Sequence, residues 1–127
     1  MSKTEKISEI DYEISFYKGV LDKSPNFVEA LSALGDLYTK KGLYEEGLKI
    51  DLRLSVLRPE DPIVLYNLAC SYSLLNNIDV ALMNIKKAIN RGYSDLQHME
   101  QDQDLDNLLK DARFKRYFSR INKKKAA

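Results

Sequence analysis

The segment Leu31-Ser-Ala-Leu-Gly-Asp-Leu-Tyr38 is matched 34 positions later by Leu65-Tyr-Asn-Leu-Ala-Cys-Ser-Tyr72, with Leu31, Leu34 and Tyr38 recurring and the small Gly35 answered by Ala69. The same offset relates Gly47 to Ala81, Leu48 to Leu82 and Leu54 to Ala88. A repeat of this length is one supersecondary unit that cannot bury its apolar face alone, so neighbouring units must stack and share a core. That constraint outweighs any local propensity.

Within each unit the spacing specifies two helices. Leu31, Leu34 and Tyr38 follow i, i+3, i+7, so they form one apolar stripe on a helix running from about Asn26 to Lys41. Gly35 sits where a second helix crosses, and Gly47 answers it from that partner helix, since small residues allow close approach. Lys41-Gly42 supplies a turn, because glycine adopts the left-handed conformation that ends a helix. The second helix runs from about Tyr44 to Leu57 and stops before Pro59. The next unit repeats the plan. Asp61 is placed to cap a helix with Pro62 at its first position, Asn76-Asn77 make the turn, and a helix from Ile78 to Arg91 ends at Gly92.

These residues resemble the tetratricopeptide repeat (TPR) family, whose 34-residue unit carries a Trp or Leu, Leu-Gly, Tyr, Ala, Phe, Ala, Pro pattern. Leu31, Leu34, Gly35, Tyr38, Gly47, Leu54 and Pro59 occupy its signature positions in the first unit. Leu65, Leu68, Ala69, Tyr72, Ala81, Ile85 and Ala88 do so in the second. Asp51 replaces the usual aromatic, and Tyr93 stands where proline is expected. The resemblance implies an all-α fold, a right-handed superhelix of helix-turn-helix repeats in a small bacterial-type domain with capping helices at both ends. Residues 1–127 are expected to form a single domain, with a capping helix or partial repeat at 8–27, repeats at 28–61 and 62–95, and C-terminal capping helices at 96–122.

The capping segments follow from the register. Ile10 to Pro25 reads like the second helix of a unit whose first helix is missing, with Pro25 aligned to Pro59. A lone helix over residues 8–22 would shield the edge of the stack or pair with the same helix of another copy. After Gly92, Ser94 or Asp95 can cap a short helix, Asp102 to Leu109 begins another, and Asp111 caps a last one carrying Phe114, Tyr117, Phe118 and Ile121 along one face. This layout resembles the closing segment of many bacterial tetratricopeptide arrays, whose task is to cover the last repeat.

Chemistry is sparse. With one histidine, His98, and no nucleophile at helical spacing from it, no catalytic residue is expected and the chain reads as a non-enzyme. Cys70 has no basic neighbour to lower its pKa and reads as a small hydrophobe. Asp102-x-Asp104-x-Asp106 begins like a calcium loop, but Asn107 and Arg113 stand where glycine and glutamate are required, so helix capping is the better account. No metal or cofactor is expected, and no glycine-rich phosphate loop exists.

Net charge is +1, from 20 Lys plus Arg against 19 Asp plus Glu, so no overall field draws nucleic acid or an anionic membrane. The basic run Lys110, Arg113, Lys115, Arg116, Arg120, Lys123, Lys124 and Lys125 is read as a solvated helix face whose aromatics turn to the core, and nucleic acid is not the expected partner. The polar Met1 to Glu9 stretch lacks a signal-peptide core, apolar runs fall short of a membrane span, and a single cysteine suits a reducing compartment. A cytoplasmic location follows as the expectation.

What remains is binding. The resemblance implies a concave groove lined by the second, fifth, ninth, twelfth and thirteenth residues of each repeat. Carried over, these are Glu29, Ser32, Asp36, Thr39 and Lys40, then Ile63, Tyr66, Cys70, Ser73 and Leu74 with Asn67 adjoining. Ser32 and Asp36 replace the Lys and Asn of the family's carboxylate clamp for chaperone tails, which disfavours that ligand. The expected role is a scaffold or adaptor that takes a peptide or protein segment, with an apolar anchor near Tyr66 and Leu74. The alternative is a self-assembling structural oligomer built through the terminal helices.

Overall fold

The computed structural model describes the backbone of residues 3–126 and the side chains of 9–124, so the beginning of the Met1 to Glu9 stretch and the side chain of Lys125 lie outside it. The described residues are helical, with no strand. They divide into two compact units, Met1–Pro59 and Glu60–Ala127.

The first unit holds α1 (Lys3–Lys23), α2 (Val28–Lys41) and α3 (Tyr44–Leu57). Helix α1 packs on α2, and α2 on α3. Their core comprises Ile14 and Leu21 from α1, Ala30, Leu31, Leu34 and Leu37 from α2, and Ile50 and Leu54 from α3. Complete burial of Leu31 removes a side chain worth roughly 2 kcal/mol from water. The expected small-residue crossing is present. A Cβ built on Gly47 would lie 3.1 Å from Thr39 Oγ1 and 3.6 Å from the Gly35 carbonyl, and one on Gly35 would lie 3.2 Å from Ile50. The turn after α2 follows from Gly42, whose φ of 85° is left-handed and whose N–H donates to the Thr39 carbonyl.

The second unit contains α4 (Pro62–Leu74), α5 (Ile78–Asn90), α6 (Leu96–Gln101), a 3-10 turn at Gln103–Leu105, α7 (Asp106–Leu109) and α8 (Ala112–Ala126). Asp61 caps α4 by accepting from the N–H groups of Ile63 at 2.9 Å and Val64 at 3.3 Å, with Pro62 following. Asn76 takes a left-handed φ of 60° in the α4–α5 turn, and Gly92 ends the next helix at φ 113°. Ala69, Ala81, Ile85 and Ala88 have no exposed surface and share a core with Met99, Leu105, Leu108 and Phe114. Asp95 caps α6 through His98 N–H at 3.0 Å, and Asp111 caps α8 through Arg113 N–H at 2.8 Å. The aromatics of α8 turn inward as expected: Phe114 and Tyr117 are buried and Phe118 half-buried.

Candidate functional site

Helix α2 presents a continuous polar face in the first unit. Glu29, Ser32, Asp36 and Lys40 recur at spacings that place them on one side of the helix, and all four are exposed. Lys40 Nζ lies 3.0 Å from Asp36 Oδ2 one turn away, and this hydrogen bond, with a smaller contribution from the nearby Glu13 carboxylate, raises the lysine's pKa above its ordinary value. Thr39 differs from its neighbours. It is half-buried, its hydroxyl donates to the Gly35 carbonyl at 3.1 Å, and it sits at the α2–α3 crossing. The face offers two carboxylates, a serine hydroxyl and an ammonium with no buried side chain among them.

In the second unit, α4 has a different surface. Ile63 and Asn67 are exposed and Leu74 is half-buried, but Tyr66, Cys70 and Ser73, expected on an open groove, are buried. The cover is the chain's own segment from Asp102 to Leu108. Tyr66 donates its phenolic hydrogen to Asp102 Oδ2 at 2.6 Å, and Cys70 Sγ lies 3.8 Å from the same oxygen. The Leu108 N–H donates to Ser73 Oγ at 3.1 Å, and Asn107 Nδ2 donates to the Ser73 carbonyl at 2.9 Å. Leu105 and Leu108 are fully buried against this wall. The Tyr66 ring also stacks on Tyr93, with centroids 4.3 Å apart and planes 3° from parallel. Tyr93, the residue in place of the repeat's proline, thus closes one side of the same helix.

Asp102 is the junction of this arrangement. Besides Tyr66 and Cys70, it accepts from the Asp104 N–H at 3.0 Å, and His98 Nε2 lies 3.4 Å from Oδ2. Desolvation, then the hydrogen bond to Asp102, pushes the Tyr66 phenol well above its usual range, so it remains a neutral donor. Desolvation likewise raises Tyr93. His98 is exposed at the edge and its ring lies 5.9 Å from that of Tyr66. The arrangement ties α4 to the segment that follows α6 through one carboxylate. Of the three aspartates that begin like a calcium loop, Asp102 caps the 3-10 turn and Asp106 begins α7. Among the described residues no group of three or more His, Cys, Asp or Glu is placed to hold a metal ion.

The basic end is partly tied down. Arg113 pairs with Asp79 at 2.7 Å and Asp111 at 3.1 Å, which holds the Asp111 carboxyl below its ordinary range. Lys86 lies 5.1 Å and Arg120 5.9 Å from the Tyr117 ring centroid. No described helix is long and apolar enough to cross a membrane.

No protein-family model matches the chain. Among curated proteins it is similar to a chloroplastic protein of Arabidopsis thaliana, at 34% identity over 80 residues, which are 61% of this chain and 24% of that protein. The chain thus matches about a quarter of that relative's length.

Proposed function

We propose that this chain is a non-catalytic protein-interaction module of tetratricopeptide type, a scaffold or adaptor that receives a segment of another protein on the outward face of α2. The observation carrying this reading is the contrast between two helices of one repeat pattern. The α4 wall is sealed by the chain's own residues 102–108, whereas Glu29, Ser32, Asp36 and Lys40 on α2 stand free of core duty. A surface released from packing is free to be shaped by a ligand. Glu29 and Asp36 give this face an acidic character at two points, one of them shared with Lys40. The fitting ligand is an extended segment bearing Lys or Arg at matching intervals.

The chain's single histidine and buried, lone cysteine support a role without catalysis. The module's superhelical stacking and its cytoplasmic location belong to the same proposal, the latter resting on the single cysteine of the sequence, which suits a reducing compartment. Affinity capture on the intact protein, repeated with Glu29→Lys and Asp36→Lys, tests the reading. The partner captured by the natural chain is expected to be lost from both variants and retained by Tyr66→Phe. Equal capture by Asp36→Lys would refute the α2 face as the binding surface.

A further inference from the structure

Helix α1 has an outward stripe. Ile14 and Leu21 turn one side of it into the core, while Glu9, Tyr12, Phe16, Gly19 and Lys23 follow the opposite side and are all exposed. Their spacings alternate between three and four residues, the pattern of a helix-pairing seam. Tyr12 is 74% and Phe16 56% exposed, and a Cβ built on Gly19 would meet no atom within 4 Å. Two aromatic rings a turn apart and in water are an apolar patch that a helix partner would bury. The stripe is also graded along its length, with an acid at the amino end, aromatics and a glycine in the middle, and a cation at the carboxyl end.

We propose that two copies of this chain pair through this stripe, α1 against α1 and antiparallel. In that orientation each Phe16 ring lies over Gly19 of the second copy, where the missing side chain leaves room for it. Each Lys23 reaches the Tyr12 ring of the other copy and the Glu9 carboxylate one turn beyond, so the gradient complements itself. A parallel pair would set Glu9 on Glu9 and Lys23 on Lys23, and would leave the two glycines facing each other across a gap. This self-complementarity of charge and bulk commits the surface to a second copy. The pairing is independent of the α2 binding face and stands or falls separately from it.

Sedimentation equilibrium of the intact chain, from about 5 to 500 µM, tests the pairing, because two aromatic layers per copy make a small interface of micromolar strength. The mass is expected to rise with concentration from 14.6 kDa toward twice that value. Phe16→Lys abolishes the rise. Gly19→Leu separates pairing from folding: a leucine favours the helix and raises the monomer's unfolding midpoint, yet it fills the space that Phe16 of the other copy needs, so association weakens at least tenfold. Glu9→Lys weakens an antiparallel pair severalfold by facing Lys23 and leaves a parallel pair unchanged. A mass of 14.6 kDa at every concentration, as a bare stripe or one serving a different protein would give, overturns the proposal. So does a Gly19→Leu chain that associates like the natural one. An unchanged Glu9→Lys overturns the orientation.

Discussion

Leu108→Ala asks whether the segment over α4 is part of the core or a strap lying on it. Leu108 has no exposed surface, and its own N–H is held by Ser73 Oγ at 3.1 Å, so the backbone around the truncation is fixed and cannot close the gap. Truncation removes three carbon centres at about 0.8 kcal/mol each and leaves a cavity, which together predict a loss of about 3–4 kcal/mol. Leu74→Ala is the control, because that side chain is half-buried on α4 and its loss is expected to cost about 1 kcal/mol. Both are measured by urea titration followed through the far-ultraviolet signal of the helices, as the chain contains no tryptophan. With a slope of about 1.5 kcal/mol per molar urea, Leu108→Ala should lower the midpoint of the transition that includes the second unit by roughly 2 M. The chain divides into two units and can unfold in two steps, so the shift is read on the step it affects. A loss below about 1 kcal/mol, equal to that of the control, would refute the reasoning and show that the wall opens cheaply.

Other consequences follow from the same structure. Tyr66→Phe deletes the donor to Asp102 and leaves a partly buried carboxylate short of a partner, and should cost about 1–2 kcal/mol in the same titration. Tyr66, Tyr93 and Tyr117 all have raised pKa values, chiefly through desolvation, so they hold their protons in the folded state when the unfolded chain has lost them. Their contribution to stability is therefore complete below the ordinary phenol value of about 10 and declines as pH rises past it. Tyrosinate absorbance should then show Tyr66, Tyr93 and Tyr117 titrating above the ordinary phenol range while the fold persists. Gly92→Ala forces a side chain into a φ of 113° and should cost about 1–2 kcal/mol, detectable as a lowered thermal midpoint. Gly35→Leu, whose Cβ would lie 3.2 Å from atoms of both Ile50 and Asp51, should lose about 3 kcal/mol or more through overpacking of the α2–α3 crossing.

The periodic parts of the chain were legible because their determinants are local. Pro59, Asp61, Asp95, Asp111, Gly42 and Gly92 each act within a turn of the helix they bound, and the helix ends fall within a residue or two of where these residues place them. The Gly35–Gly47 crossing was legible through the repeat, which supplies long-range register that one helix alone lacks. Helix α1 extends further toward the amino end than its apolar pattern indicates, since Lys3 to Lys6 carry no apolar spacing from which a helix could be read. The resemblance led to the expectation that a closing segment covers the second repeat, but its seat on Tyr66, Cys70 and Ser73 of α4 was not legible. Tyr66 with Asp102, and Ser73 with Leu108, are contacts between residues more than thirty positions apart. The direction the chain takes after Gly92 decides them, and no spacing encodes that direction. Tyr93 carried the one available signal: an aromatic in place of a proline is a side chain that must be buried somewhere, and here it stacks on Tyr66.

The two repeats therefore share a backbone plan and differ in how their first helices are used. In α2 the residues at the groove positions are charged or hydroxylated and four of them are exposed. In α4 the corresponding positions hold a tyrosine, a cysteine and a second serine, residues that tolerate burial once each polar atom finds a partner, and the segment after α6 supplies those partners. The substitution pattern and the local topology thus depend on each other: placing the chemistry of Asp36 at the position of Cys70 would leave a charge to be buried under residues 102–108. Cys70→Asp is the sharpest form of that argument. It sets a second carboxylate beside Asp102, whose Oδ2 lies 3.8 Å from the present sulfur, in a wall with little water to screen the pair. The expected result is a loss of about 3 kcal/mol or more at neutral pH that shrinks as the pH falls and one of the two carboxyls takes up a proton. A Cys70→Asp chain as stable as the natural one at pH 7, with no such recovery in acid, would mean that α4 is open to solvent and that its groove is available to a partner after all.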